Sequence, residues 1–163
     1  MAKGAFSLRI LLFSFGFLFL SCSNHLTGYV NPTKLLEGYH GAIAKQQTYI
    51  NQLRIWQQNL DSLAAETKAI TAELTKRAKE QQLQQYREAI QQKAVAEQQR
   101  LDKETLDEIN AYLKQYGKEK GYDFILGATE QGNIVYAAEG KDITEEVLTG
   151  LNQQYDRQHP THP

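Results

Sequence analysis

Few side chains in this sequence are equipped for chemistry. Cys22 is the single thiol among 163 residues, so no disulfide can form within the chain. There are four histidines, His25, His40, His159 and His162. The last two sit in the run HPTH, which has no cysteine or acidic cluster beside it to complete a metal shell. Glu104, Asp107 and Glu108 crowd one stretch, but their setting reads as a solvated helix face, and acid–base work by paired carboxylates needs an enclosed pocket. The segment GATEQGN lacks the glycine spacing and the lysine of a phosphate-binding loop. The residues therefore predict no catalytic site, no cofactor site, no metal site and no enzyme.

Cys22 is the exception, because of what precedes it. Lys3 and Arg9 give a basic start, an apolar run spans Ile10 to Leu20, and small Ser21 stands before the cysteine. That run is about half of the ~20 residues that a membrane-spanning helix needs. It reads as an export signal over residues 1–21, outside the fold. The arrangement resembles a bacterial lipoprotein signal, in which the cysteine becomes the lipidated first residue; an ordinary signal cut near Ser21 is the plainer alternative. Ser23 follows, without the aspartate that marks inner-membrane retention. The expected location is the periplasm, with the chain anchored to the inner face of the outer membrane through Cys22. Each buried methylene of a lipid contributes roughly 0.8 kcal/mol to such an anchor.

The elements beyond residue 22 are mostly helical. No Pro or Gly occurs from Ala42 to Tyr116. Apolar or small residues recur at Ile43, Ile50, Leu53, Leu60, Leu63, Thr67, Ile70 and Leu74, in steps of three, four and seven. That is a helix with one buried stripe. A second stripe runs through Tyr86, Ile90, Ala94, Leu101, Ile109, Leu113 and Tyr116. Two architectures fit: one rod of about 75 residues, roughly 110 Å long, or an antiparallel hairpin turning near Arg77 to Gln81. The hairpin is favoured, in part because it brings Leu26–Val30 beside the later strands and in part from the resemblance given below. Trp56 is expected at a helix–helix contact. Asn31 is a candidate N-cap with Pro32 at the first helical position, and Gly38 and Gly41 predict a bend or break.

Strands are expected at 26–30, 122–128 and 133–137, forming a three-stranded sheet. TEQGN supplies the turn between the last two. Gly117 and Gly121 should end the preceding helix. Asp142 and Glu145 predict a capping box opening a helix over 142–154, with Ile143, Val147, Leu148 and Leu151 on its apolar side. Residues after Tyr155 read as a frayed tail. Such a sheet is too small to stand alone and leaves open edges, which points to association of several copies. Only Phe124 among six phenylalanines lies after Cys22, so a large monomeric core is not on offer. Without residues 1–21 the balance is 16 basic to 19 acidic side chains, which argues against nucleic-acid binding.

With these segments in view, GYVNPTKLL, YGKEKGYDFILG, NIVYA and above all KDITEEVLTGL resemble the Skp/OmpH family of periplasmic chaperones. The resemblance implies an α+β fold, a long helical hairpin projecting from a small β-rich body, and a jellyfish-like homotrimer. Its function would be that of a holdase, binding unfolded outer-membrane β-barrel proteins without ATP. Signal, body, arm and tail would then be 1–21, 22–30 with 117–155, 31–116, and 156–163. Tyr29, Val30, Phe124, Leu126, Ile134, Val135, Tyr136, Ile143, Val147 and Leu148 would belong to the trimerisation body. Tyr49, Tyr86, Tyr112 and Tyr116 suit either a client-facing lining of the arm or internal packing. The arm carries 11 basic and 10 acidic side chains between Lys45 and Lys114, unlike the strongly basic arms of the best-known members. A structural or adaptor lipoprotein, with the arm as a spacer, is the other function these features fit.

Overall fold

A computed structural model describes residues 25–129 and 133–160. The signal segment and Cys22 lie outside the described residues. Strand β1 (Thr27–Val30) leads into helix α1 (Pro32–Gly38) and then α2 (His40–Ala69). Helix α3 (Glu73–Lys120) returns the chain to strand β2 (Phe124–Gly127), and α4 (Thr144–Gln158) closes it. The hairpin reading holds. The α+β architecture is a helical arm on a small sheet with a C-terminal helix.

β1 and β2 are parallel, with Thr27 opposite Phe124 and Val30 opposite Gly127. A parallel pair needs a long crossover, and here the whole arm is that crossover. The expected third strand at 133–137 does not form: the sheet has two strands, and Val135 and Tyr136 are 96% and 85% exposed. The second edge of β1 is taken by another segment. Tyr29 N–H donates to the Lys141 carbonyl at 2.9 Å, and Ile143 N–H donates to the Tyr29 carbonyl at 2.9 Å. Both edges of β1 are filled, and residues 133–137 do not pair with the outer edge of β2 either. Asn133 instead closes the loop after β2, donating from Nδ2 to the Gly127 carbonyl at 2.6 Å and accepting from Thr129 N–H at 2.8 Å.

The same bridge shifts the start of α4. Ile143 is buried and its amide is committed to Tyr29, so the helix opens at Thr144 and the expected capping box is absent. Asp142 still serves the helix start, accepting from Thr144 N–H at 2.9 Å and from the Thr144 hydroxyl at 2.5 Å. The Thr144 hydroxyl in turn accepts from Asn31 N–H at 2.9 Å. Asn31 caps α1 as expected, taking Lys34 N–H at 3.2 Å, with Pro32 just inside. The beginnings of α1 and α4 are thus tied together. At the far end, α4 runs through Gln158 instead of fraying after Tyr155. Its last turn is held where Tyr155 meets Tyr39 edge-on at 5.7 Å and Asp156 meets His40 at 2.9 Å.

Two further boundaries differ from expectation. The arm turns at Ile70–Ala72, ahead of Arg77–Gln81. Arg77–Gln81 is built from good helix formers, whereas Ile70 and Thr71 are adjacent β-branched residues and the weaker place to continue a helix. Glu73 then sits in the first turn of α3 and accepts from Arg77 at 2.9 Å. Gly117 lies inside α3, where its missing side chain admits Ile125 of β2. Gly121 alone ends the helix, in the left-handed conformation at φ 74°.

The core lies in the body and reaches the base of the arm. It comprises Val30, Leu35, Tyr39, Ile109, Tyr116, Ile143, Val147 and Leu151. Tyrosine supplies the bulk that phenylalanine does not: Tyr116 also stacks on Tyr122 at 5.9 Å, and Tyr112 and Tyr155 pack at the margin. Leu35, from the seven-residue α1, is almost wholly enclosed. Leu35→Ala should destabilise the protein by about 2–5 kcal/mol, the range for emptying a well-packed leucine site. Chemical denaturation followed by circular dichroism checks this; a loss below about 1 kcal/mol would show that the site collapses or that α1 is not docked.

Candidate functional site

The arm has a seam and two broad faces. Along α2 and into the turn the seam follows Ala42, Tyr49, Trp56, Leu63 and Ile70, an unbroken seven-residue repeat, flanked by Leu53, Leu60 and Thr67; all are buried or half-buried. Trp56 is buried between the helices with the Lys93 ammonium 5.1 Å from its ring centre. The Tyr49 hydroxyl crosses the hairpin to donate to the Ala94 carbonyl at 3.0 Å. Ile43 and Ile50, expected in the seam, sit one position off it and are 52% and 48% exposed. Leu74, just past the turn, is also exposed. The two large aromatic rings occupy the space between helices and rotate the isoleucines outward.

One face is charged and satisfies itself. Arg100 bonds Glu97 and Glu104, both at 2.6 Å, and Lys103 bonds Asp107 at 2.6 Å. The Arg100 hydrogen bonds hold the Glu97 carboxyl below its ordinary range. Nearer the body, Lys45 and the Tyr39 hydroxyl both donate to Glu108. Exposed pairs of this kind contribute little to stability, and the alternating signs leave no single-signed field along this face. The crowded acids Glu104, Asp107 and Glu108 are therefore ion-pair partners. His159 stacks on Tyr155 at 4.2 Å, and His162 lies outside the described residues. Among the described residues no group of three or more metal-binding side chains converges, and no helix is long and apolar enough to cross a membrane.

The other face is aliphatic. Leu36, Ile43 and Ile50 from the first limb meet Leu101 and Leu106 from the second around a cleft of about 710 Å³. Gln46, Gln47 and Gln98 border it, with only a few charged side chains at its rim. Val95, also exposed, lies eleven residues before Leu106 and so continues the same stripe of α3. Among the described residues, no segment covers this stripe.

The tyrosines singled out by sequence occupy different settings. Tyr116 is in the core, Tyr49 spans the seam, and Tyr112 is half-buried against α4, where its hydroxyl crowds Gly150. Tyr86 is half-buried beside a smaller cleft of about 440 Å³ near the turn, with Leu63, Ile70 and Leu83. Of the residues assigned to the body, Val30, Ile143 and Val147 are in this chain's own core, and Tyr29, Ile134 and Leu148 are half-buried. Phe124, Leu126, Val135 and Tyr136 are exposed, Phe124 to 64%. β2, which carries Phe124 and Leu126, pairs only with β1 among the described residues, so its outer edge is open. Sequence reasoning did not single out Leu36 or Leu106. The signal was available in the heptad carrying Tyr49 and Trp56, which competes with the isoleucine stripe and displaces it.

The comparisons agree with this architecture. Residues 27–151 match the family described as Outer membrane protein (OmpH-like), and the chain belongs to that family. A curated relative, Outer membrane protein 26 of Haemophilus influenzae, is 48% identical over 46 residues. That alignment covers 28% of this chain and 22% of the relative's length.

Two core tyrosines give a pH dependence. Burial first, and then the hydrogen bond to Glu108, push the Tyr39 hydroxyl well above its ordinary value of 10.0. Burial first, and then Glu146, do the same for Tyr116. The folded protein keeps protons that the unfolded chain releases from about pH 10 upward. This contribution is complete below pH ~10 and is lost as pH rises beyond it. The urea midpoint should fall as pH rises above about 10, and fall less in the Tyr39→Phe, Tyr116→Phe double variant. An equal fall in both proteins would rule the tyrosines out as its source.

Proposed function

We propose that this protein is an ATP-independent holdase that shields unfolded outer-membrane β-barrel proteins in the periplasm. It acts as a homotrimer, tethered to the inner face of the outer membrane by a lipid on Cys22. The observation that carries the reading is the uncovered aliphatic face of the arm. A spacer needs a solvated arm, and the charged face already provides one. Leu36, Ile43, Ile50, Val95 and Leu106 exposed beside uncharged glutamines suit weak, adaptable contact with apolar segments of a chain that has no fixed shape. Membership of the OmpH-like family supports an outer-membrane client.

The trimer is supported by the open edge of β2 and the exposed Phe124, Leu126, Val135 and Tyr136. Those side chains and that edge gain cover from sister subunits, consistent with the need to protect strand edges. A balanced arm gives no long-range attraction for acidic clients, so tethering would take over the task of raising local concentration at the membrane. Of the four tyrosines, Tyr86 and the exposed part of Tyr112 fit a client-contacting role; Tyr49 and Tyr116 fit packing.

Diluting a urea-denatured porin into buffer with the purified protein should give dose-dependent suppression of turbidity without ATP. Replacing Ile43, Ile50 and Leu106 together by Ser should reduce suppression about tenfold or more, with the folded mass by light scattering still that of a trimer. No suppression by the wild type would favour the spacer, and a monomeric mass would remove the trimer.

A further inference from the structure

The arm has one jointed limb and one continuous limb. α3 runs unbroken from the turn to the body and ends against β2. The other limb is interrupted at Tyr39, which leaves the helical region at ψ 119° and gives α2 no side-chain cap. An interruption of this kind strands a carbonyl behind it and an amide ahead of it. A single side chain from α4 serves both. Asn152 donates from Nδ2 to the Gly38 carbonyl at 2.9 Å and accepts at Oδ1 from His40 N–H at 2.8 Å. One turn later, Asp156 meets His40 Nδ1 at 2.9 Å, and one turn earlier Leu148 packs directly on Gly38. Residues 148, 152 and 156 form one stripe of α4 along the joint. Tyr39 folds its ring over Gly41, where any larger residue would collide with it.

We infer that Asn152 is a positioning residue whose amide locks the joint between α1 and α2, and so fixes where the arm's first limb leaves the body. The inference does not depend on the holdase reading. The reasoning is geometric. An asparagine amide offers a donor and an acceptor on one planar group, and here each is used on opposite sides of the same break. Apart from the packing of Tyr39 and the exposed His40–Asp156 contact, little else fixes the start of α2, because Tyr39 contributes no side-chain cap and positions 38 and 41 are both glycine. Without the clamp, the first turns of α2 keep only the exposed His40–Asp156 contact and the Tyr39 packing against α4, while α3 stays docked through Ile109 and Tyr116. Ile43 and Ile50 lie in those turns, so the clamp also sets how the aliphatic face is presented.

Hydrogen exchange read by mass spectrometry on the full chain tests this. In Asn152→Ala, amides across His40–Ile50 should exchange about tenfold faster than in the wild type, while those of 109–116 change less than about twofold. Asn152→Leu keeps the branched shape and the number of side-chain heavy atoms while removing both hydrogen bonds; it should behave as the alanine variant does. Unchanged exchange at 40–50 in either variant would overturn the inference, because packing alone would then hold the joint. Equal acceleration throughout the protein would overturn it as well, since Asn152 would be a general stabiliser and not a lock.

Discussion

The pairing of β1 with β2 is the constraint on which the architecture depends. Two four-residue strands bury little and cannot persist alone. They run parallel, so the chain must travel out and back before the second strand can align with the first. That return journey is the arm. Its length is unimportant to the sheet as long as α3 delivers Tyr116, Gly117 and Gly121 to the right place. Gly117 lets Ile125 approach, and Gly121 turns the chain into the strand. The segment Lys141–Ile143 then fills the other side of β1. One short strand is held from both sides by segments about a hundred residues further along the chain.

The polar links explain why two distant stretches of sequence belong together. Asn31 caps α1 with its side chain and gives its own amide to Thr144, whose hydroxyl and amide are both taken by Asp142. NPT near the start and DIT near the end are therefore two halves of one hydrogen-bonded junction. Behind it, Leu35, Ile143 and Val147 exclude water, which strengthens the bonds at the junction's edge. The tyrosines of the core follow the same economy. Each ring fills volume while its hydroxyl reaches the rim, as when Tyr39 meets Glu108.

Much of this was legible in the sequence, and the failures share a cause. The Asn31 cap, the break after Gly38 and the burial of Trp56 follow from local residue chemistry, whereas the hairpin follows from the topology that the strands require and from the family resemblance. The turn was misplaced because no glycine or proline marks it; a β-branched pair, Ile70–Thr71, was enough. The strand at 133–137 has a good strand composition, but Asn133 folds back onto Gly127 and Thr129 and the segment does not pair with β2. Ile43 and Ile50 fit a helical stripe as well as the true seam does, and only the volumes of Tyr49 and Trp56 decide which stripe turns inward. Periodicity gives the angle between residues on a helix; it does not say which of two neighbouring stripes meets the partner.

What the chain leaves uncovered is as informative as what it buries. A balanced, self-paired face and an aliphatic face share one arm, and an open strand edge sits beside exposed Phe124 and Leu126. The central claim is that the aliphatic face receives an unfolded chain. Photo-crosslinking tests it most directly, with a benzophenone side chain placed at position 50 or 106 on that face, or at 100 or 104 on the charged one. With a urea-denatured porin, adducts should form strongly at 50 and 106 and weakly at 100 and 104. Adducts confined to the charged face, or spread equally over all four positions, would contradict the account.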